Sequence, residues 1–185
     1  WYLDRQSRLL TYLPREDERP NQTEIVLGVA SQLLVLDGCP EENRLVADLT
    51  FEDIHFAHSD WVQPTGWGKR FRPDVPVEEQ KPQDSYKHFL QWTQPGIDYA
   101  GSIQAGFNLP GAVYLEGAQN CRLQNCSFVG IGSYAVEIAE GCRNVAITSS
   151  EFAHLGAGAV KMDGADREGD TRRQTGHNLI ADNHI

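Results

Sequence analysis

Long apolar runs are absent from this chain of 185 residues, and no stretch approaches the roughly 18 consecutive apolar residues of a membrane span. The N-terminus also lacks the basic, apolar and small-residue segments of a secretion signal. The sequence therefore predicts neither a membrane span nor a membrane anchor. An alternating apolar run begins at Trp1, and a repeat is still in progress at Ile185, so we expect a fragment of a larger protein.

Basic residues are few: 16 lysines and arginines stand against 26 acidic residues, which gives a formal net charge of −10. The surface field of such a chain repels phosphate backbones, and its basic residues are scattered rather than clustered. We therefore predict no nucleic-acid partner.

Cysteines are also few, and Cys39, Cys121, Cys126 and Cys142 match neither a paired zinc motif nor a dense disulfide framework. We interpret all four as small buried residues and leave the disulfide state open. The sequence predicts no metal site and no cofactor.

An internal repeat of about 24 residues is the main positive feature of the sequence. The segment Asn120–Phe128 aligns with Asn144–Phe152, and further copies are Asp48–Phe56 and His177–Ile185. The polar stretch Ala165–Thr175 accounts for the longer spacing of the last copy. Each copy has apolar residues at its fourth and last positions.

Short alternating strands that end in glycine lie between these copies, namely Leu34–Gly38, Val113–Gly117, Val136–Gly141 and Val160–Gly164. One repeat is too short to bury its own apolar face, so the repeats must stack. The pattern predicts an all-β fold, a right-handed parallel β-helix of about four rungs.

The alignment also predicts which side chains point into the core. These are Leu34, Leu36, Phe51, Phe56, Val113, Leu115, Leu123, Phe128, Val136, Ile138, Ile147, Phe152, Val160 and Met162. A register error of one residue would invert every face.

The predicted organisation is an N-terminal hairpin and flanking segment at 1–23, followed by β-helix rungs at 24–185 that are interrupted by an insertion at 59–110. The insertion holds six of the nine prolines and three of the four tryptophans, Trp61, Trp67 and Trp92. Its aromatic side chains form either a wall on which sugars stack or a small core that holds the insertion together.

Side chains that point outward from the glycine-ended strands stack in columns at a spacing of about 4.8 Å. One column reads Val35, Tyr114, Glu137, Lys161, and the next reads Asp37, Glu116, Ala139, Asp163.

Three carboxylates in these columns are the predicted catalytic residues. Glu137 is expected about 8 Å from Glu116 or from Asp163, which lies in the range of about 6.5 to 9.5 Å for inverting glycoside hydrolysis. A structural reading is also open, because Glu116 and Asp163 each precede a turn glycine and Glu137 has Lys161 as a possible ion-pair partner.

Two histidines are placed at the start of the loop that leads to this strand face, since His58 and His154 each follow a repeat phenylalanine by two residues. They donate to the hydroxyl groups of a sugar, act in proton transfer or cap the turn. The full set of predicted substrate-binding residues is His58, Asp60, Trp61, Tyr114, His154 and Lys161.

The repeat resembles that of pectin-lyase-like, right-handed parallel β-helix carbohydrate-active enzymes, whose Asn-x-x-Ile-x-x-Asn-x-Ile pattern is seen most fully in His177–Ile185. The segments Trp1–Asp4, Leu10–Pro14, Leu49–Phe51 and Phe56–Trp61 are similar to bacterial β-helical glycoside hydrolases of the xylosidase and the fucosidase or xylanase type. The resemblance implies a bacterial parent that is secreted or periplasmic.

The function that the resemblance and the carboxylates together favour is hydrolysis of a polysaccharide or oligosaccharide substrate. A polysaccharide lyase, which needs a basic residue, and a non-catalytic binding or structural β-helix are the alternatives. The oligomeric state is left open.

Overall fold

The computed structural model describes residues 2–4, 6–19, 22–60, 111–162 and 169–185. Regular structure in these residues consists of β-strands and two short 3-10 helices, η1 (Pro40–Glu42) and η2 (Thr171–Arg173). The strands are β1 (Tyr2–Asp4), β2 (Leu9–Thr11), β3 (Leu34–Asp37), β4 (Val46–Ala47), β5 (Thr50–Glu52), β6 (His55–Ala57), β7 (Gly111–Glu116), β8 (Ala118–Gln119), β9 (Arg122–Gln124), β10 (Ser127–Val129), β11 (Tyr134–Ile138), β12 (Ala146–Thr148), β13 (Glu151–Ala153), β14 (Val160–Met162) and β15 (Leu179–Ala181). The predicted all-β class is confirmed.

The N-terminal strands form an antiparallel pair, β1 with β2, where the sequence predicts a hairpin. All the other strand pairs of the described residues are parallel. Their sheets run in the order β14-β11-β7-β3 (sheet 1), β15-β12-β9-β5 (sheet 2) and β13-β10-β6 (sheet 3), with a two-stranded sheet β4-β8.

The chain visits these sheets in a constant order. After sheet 1 it passes through the β4–β8 position, then sheet 2, then sheet 3, and it returns to sheet 1. Like positions of successive repeats become neighbours, so Phe128 pairs with Phe56 on one side and with Phe152 on the other. The predicted register is therefore confirmed across sheets 1, 2 and 3.

A column of phenylalanine rings marks the centre of sheet 3. The ring of Phe128 stacks on Phe56 at a centroid distance of 5.0 Å and on Phe152 at 4.7 Å, with interplanar angles of 9° and 5°. The predicted insertion at 59–110 falls, apart from Ser59 and Asp60, outside the described residues.

The corners between strands use the left-handed backbone conformation. Three columns of residues at positive φ stack there: Asp48, Asn120, Asn144 and His177; Asp53, Asn125, Ser149 and Asp182; His58, Gly130 and His154. Asparagine and aspartate tolerate this conformation better than most residues, and here their side chains also bond to one another. The amide of Asn120 donates to Asp48 at 3.0 Å, and that of Asn144 donates to Asn120 at 3.2 Å.

The predicted core is largely confirmed. Ten of the fourteen predicted inward side chains are buried, while Leu34, Phe51 and Val160 are half-buried. The prediction is wrong for Met162, which is 48% exposed. Its strand, β14, lies at an edge of sheet 1, so no described strand stacks on its far side.

Candidate functional site

The outward face of sheet 1 carries two of the three predicted carboxylates, Glu116 and Glu137. Because side chains alternate along a strand, Glu137 points away from the core that its neighbours Val136 and Ile138 fill. It pairs in register with Tyr114 on one side and with Lys161 on the other. The structure thus brings these three predicted site residues together.

The outward face of the two central strands of sheet 1, β7 and β11, is buried. The exposed fractions are 4% for Tyr114, 6% for Glu116 and 3% for Glu137, and every residue of β7 is buried. Arg122, an outward residue of sheet 2, is by contrast exposed. The candidate carboxylates of sheet 1 are therefore shielded from solvent.

Both carboxylate oxygens of Glu137 accept hydrogen bonds. Lys161 Nζ donates to Oε1 at 2.9 Å, and the backbone N–H of Gly111 donates to Oε2 at 2.8 Å. The exposed fractions of the two side chains are 15% for Lys161 and 4% for Glu137. Removing one partner of such a buried ion pair costs much more free energy of unfolding than removing one partner of a solvent-exposed pair.

Gly111 is a residue of this site that sequence reasoning missed. A Cβ at Gly111 would lie 2.5 Å from the backbone nitrogen of Glu137 and 2.7 Å from its Cβ, so only glycine fits. Gly111 lies outside the repeat copies, and the one available signal is the Pro-Gly pair whose glycine begins β7.

Glu116 is held by its neighbour two residues earlier on β7. The hydroxyl of Tyr114 donates to Oε2 of Glu116 at 2.6 Å. Glu116 and Glu137 lie on adjacent strands and are offset by two positions, which corresponds to a separation of about 8 Å between their Cα atoms. The carboxylate of Glu137 extends toward the backbone N–H of Gly111, which precedes Tyr114 on β7, whereas Glu116 follows Tyr114.

The predicted histidines lie at the corner between sheets 3 and 1. His58 and His154 are both exposed and have φ values of 59° and 55°. Gly130 stands between them in the same column, and a Cβ there would be 2.9 Å from Nδ1 of His58. The imidazole of His58 therefore lies over Gly130.

Of three further predicted residues, the structure describes one, Asp60. Asp60 is half-buried, and its backbone N–H donates to the carbonyl of Ala30 at 2.8 Å. Trp61 and Asp163 lie outside the described residues.

A third buried acid, Glu140, is not among the residues that the sequence analysis predicts for the site. It is 8% exposed, and Arg173 Nε donates to its Oε2 at 2.6 Å. This hydrogen bond is the main cause that raises the pKa of Arg173. Glu140 sits at the end of sheet 1 directly before the turn glycine Gly141, which is the position that favours a structural role.

The cysteines behave as small core residues. Cys121, Cys126 and Cys142 are buried, Cys39 is half-buried, and all four are free thiols. Burial is the main cause that raises the pKa of Cys142 to about 12, so its thiol is protonated at neutral pH. The sequence interpretation is confirmed for the three buried cysteines.

Within the described residues, no cluster of three or more histidine, cysteine, aspartate or glutamate side chains is arranged to hold a metal ion. In the same part of the chain, no helix has the length and apolar character needed to cross a membrane. Comparisons with protein-family models, with curated proteins and with solved structures found no match to this chain.

Proposed function

We propose that the chain is part of a right-handed parallel β-helix whose sheet 1 carries out glycoside hydrolysis on a polysaccharide or oligosaccharide. The observation that carries the proposal is the pair of ordered carboxylates, Glu137 and Glu116, on the outward face of adjacent strands. Their Cα atoms are about 8 Å apart, and inverting glycosidases hold their two carboxyl groups about 6.5 to 9.5 Å apart.

The constant order in which the chain visits its sheets supports the β-helix part of the proposal. Each passage from one strand to the next strand of the same sheet is a parallel crossover. Such crossovers are right-handed in nearly all proteins, because the twist of the strands favours that hand.

In the proposed reaction, Glu137 is the general base. It takes a proton from a water molecule as the water oxygen attacks the anomeric carbon, while Glu116 gives its proton to the leaving oxygen. Lys161 and the Gly111 N–H fix the position of Glu137, and Tyr114 fixes that of Glu116. Asp163 remains the alternative second carboxylate of the proposal.

Burial of the two carboxylates sets a condition on this reaction. Glu137 and Glu116 are 3% and 6% exposed, so the hydrolase proposal requires that a sugar gain access to side chains that are buried in this structure. Exclusion of water around such carboxylates strengthens their electrostatic interactions.

A non-catalytic structural β-helix is the second candidate, and the dry Glu137–Lys161 ion pair favours it. A lyase is the less favoured alternative. Lyase chemistry needs a free base, whereas the ammonium of Lys161 donates to Glu137.

The test of the hydrolase proposal compares wild type with Glu137→Gln and with the double variant Glu137→Gln/Lys161→Met on a panel of neutral polysaccharides. We expect release of reducing ends by wild type and a fall of about 10²- to 10⁴-fold in both variants, as for loss of a general base. The double variant is needed because Glu137→Gln alone leaves a buried ammonium without its counter-charge.

Glu151→Gln is the matched control, because Glu151 is an exposed glutamate on the outward face of sheet 3 and its replacement should leave the rate unchanged. Absence of hydrolysis by wild type, or full activity in the double variant, would contradict the proposal and favour the structural candidate.

A further inference from the structure

A cavity of about 260 Å³ lies at the corner that follows sheet 1, away from Glu137. Its lining includes Asn43, Gln119, Arg143, Thr171 and Arg172. This volume is at the lower end for small-molecule sites, so the cavity suits a ligand no larger than about one sugar unit.

Two features form the walls of the cavity: the stacking of Gln119 on Arg143, and the close approach of two short helices to Gly141. Gln119 and Arg143 are neighbours in a parallel bridge, so their side chains emerge side by side on one rung face. The helices η1 and η2 pack around them. A Cβ at Gly141 would lie 2.6 Å from Cβ of Pro40 and 3.0 Å from the carbonyl oxygen of Arg172, so this glycine lets both helices approach.

Most N–H groups of the Arg143 guanidinium make no hydrogen bond within the described residues. Its guanidinium makes one hydrogen bond, from a terminal nitrogen to the carbonyl oxygen of Thr171 at 2.9 Å, and in the described part of the chain it has no carboxylate at ion-pair distance. Arg143 is half-buried, and an arginine with no carboxylate partner among the described residues is unexpected in a chain of net charge −10.

The neighbouring arginines differ from Arg143 in this respect. Arg172 is paired with Asp170, and its hydrogen bonds lower the pKa of that carboxyl to about 2. Arg173 is paired with Glu140. Of the three arginines at this corner, Arg143 is the one whose donors face the cavity without a carboxylate among the described residues.

Two side-chain amides add neutral polar groups to the same lining. The amides of Asn43 and Gln119 make no side-chain hydrogen bond within the described residues, although both line the cavity. Amide groups both donate and accept, which suits the hydroxyl groups of a sugar.

We propose that this cavity binds a monosaccharide that carries an oxyanion, either a carboxylate or a phosphate. Arg143 pairs with two oxygens of the anion, since a guanidinium forms parallel hydrogen bonds with planar or tetrahedral oxyanions. Gln119 and Asn43 contact the hydroxyl groups. The site is independent of the proposed hydrolysis, because it shares no residue with sheet 1.

Isothermal titration calorimetry with three probes tests this proposal. Glucuronate represents the carboxylate source, glucose 6-phosphate the phosphate source, and glucose the neutral control. We expect one or both charged sugars to bind with a Kd of about 1 mM, and glucose to give no measurable heat, since a small ligand with one ionic contact binds weakly.

Variants then locate the binding. Arg143→Gln should weaken it by about tenfold or more, as for loss of a charge-assisted hydrogen bond, and Gln119→Ala by a smaller factor. Gln119→Ala removes no side-chain bond between described residues, so it keeps the test valid should Arg143→Gln disturb η2.

Arg122→Gln is the charge-matched control, because Arg122 is exposed on β9 and lies outside the cavity. The Arg122→Gln variant should bind the charged sugars with the same affinity as wild type. Two results would overturn the proposal: no binding of either charged sugar at about 20 mM, far above the expected Kd, or an equal loss in Arg122→Gln and Arg143→Gln, which would indicate general charge attraction.

Discussion

Phe128 shows how much one residue contributes when repeats stack. Its ring has no exposed surface and contacts an aromatic ring on each side, Phe56 and Phe152. The apolar area buried and the paired ring contacts both stabilise the fold. Truncation of the central ring of the column should therefore lower the free energy of unfolding more than truncation of a ring at its end.

We predict that Phe128→Ala lowers the free energy of unfolding by about 3 to 5 kcal/mol, the usual range for a fully buried phenylalanine. Urea unfolding followed by circular dichroism measures the loss. Phe56→Ala, at the end of the column and 8% exposed, is the control and should cost less. Equal losses in the two variants would contradict the central position assigned to Phe128.

The contribution of an ion pair to the stability of this chain depends on how exposed its two side chains are. The side chains of Arg44 and Glu42 are 69% and 62% exposed, so solvent screens their attraction and the pair contributes little to stability. Lys161 and Glu137 are 15% and 4% exposed. Removing one partner of such a buried pair typically costs about 3 to 5 kcal/mol, which is why the activity test includes the double variant.

At the scale of elements, the left-handed corners hold successive repeats in register. In one corner column, amide side chains join Asp48, Asn120 and Asn144 across three rungs. In the next column, the side-chain amide of Asn125 donates to Asp53 at 2.6 Å. Ser149 is the next residue of this column, and among the described residues its side chain makes no hydrogen bond to Asn125. Serine also tolerates the left-handed conformation less well than asparagine.

Ser149→Asn should therefore stabilise the protein, by about 0.5 to 1 kcal/mol, through a new amide bond to Asn125 and a better fit to the left-handed corner. Thermal unfolding of wild type and variant measures the change.

Ser149→Ala serves as its control, because alanine supplies neither the bond nor the preference for the left-handed conformation, and it should give no gain. An asparagine variant no more stable than the alanine variant would show that the amide column does not stabilise this corner.

At the scale of the whole molecule, burial is uneven along the stack. Strand β7 is buried at every position and β11 at all but its first, whereas β15 and the hairpin strands β1 and β2 have exposed residues. Strands at the centre of the stack are bonded on both sides, and β14 and β15 lie at sheet edges. Local opening should follow this order.

Native-state hydrogen exchange tests that order. We predict the slowest amide exchange in β7 and β11, and much faster exchange in β1, β2 and β15, because opening an edge or a hairpin exposes little apolar surface. Uniform protection across all of these strands would indicate a single cooperative unit instead.

The sequence by itself determined the register and most of the core. Positions that are one repeat of 24 residues apart, such as Phe128 and Phe152, become neighbours on adjacent strands. Phe56 pairs with Phe128 in the same way, although the interval between them also contains the segment 59–110. It also determined the columns of sheet 1, because alternation along a strand decides which way Tyr114 and Glu137 point.

Only the tertiary structure decided what covers or joins those side chains. Alternation gives the direction of Glu137 but not its burial, which depends on chain outside its own strand. The partnership with Gly111 and the cavity at Arg143 likewise join segments that share no sequence pattern. Stacking obeys a period that can be read along the chain, whereas the packing of turns and helices against the stack depends on steric fit between segments that are distant in sequence.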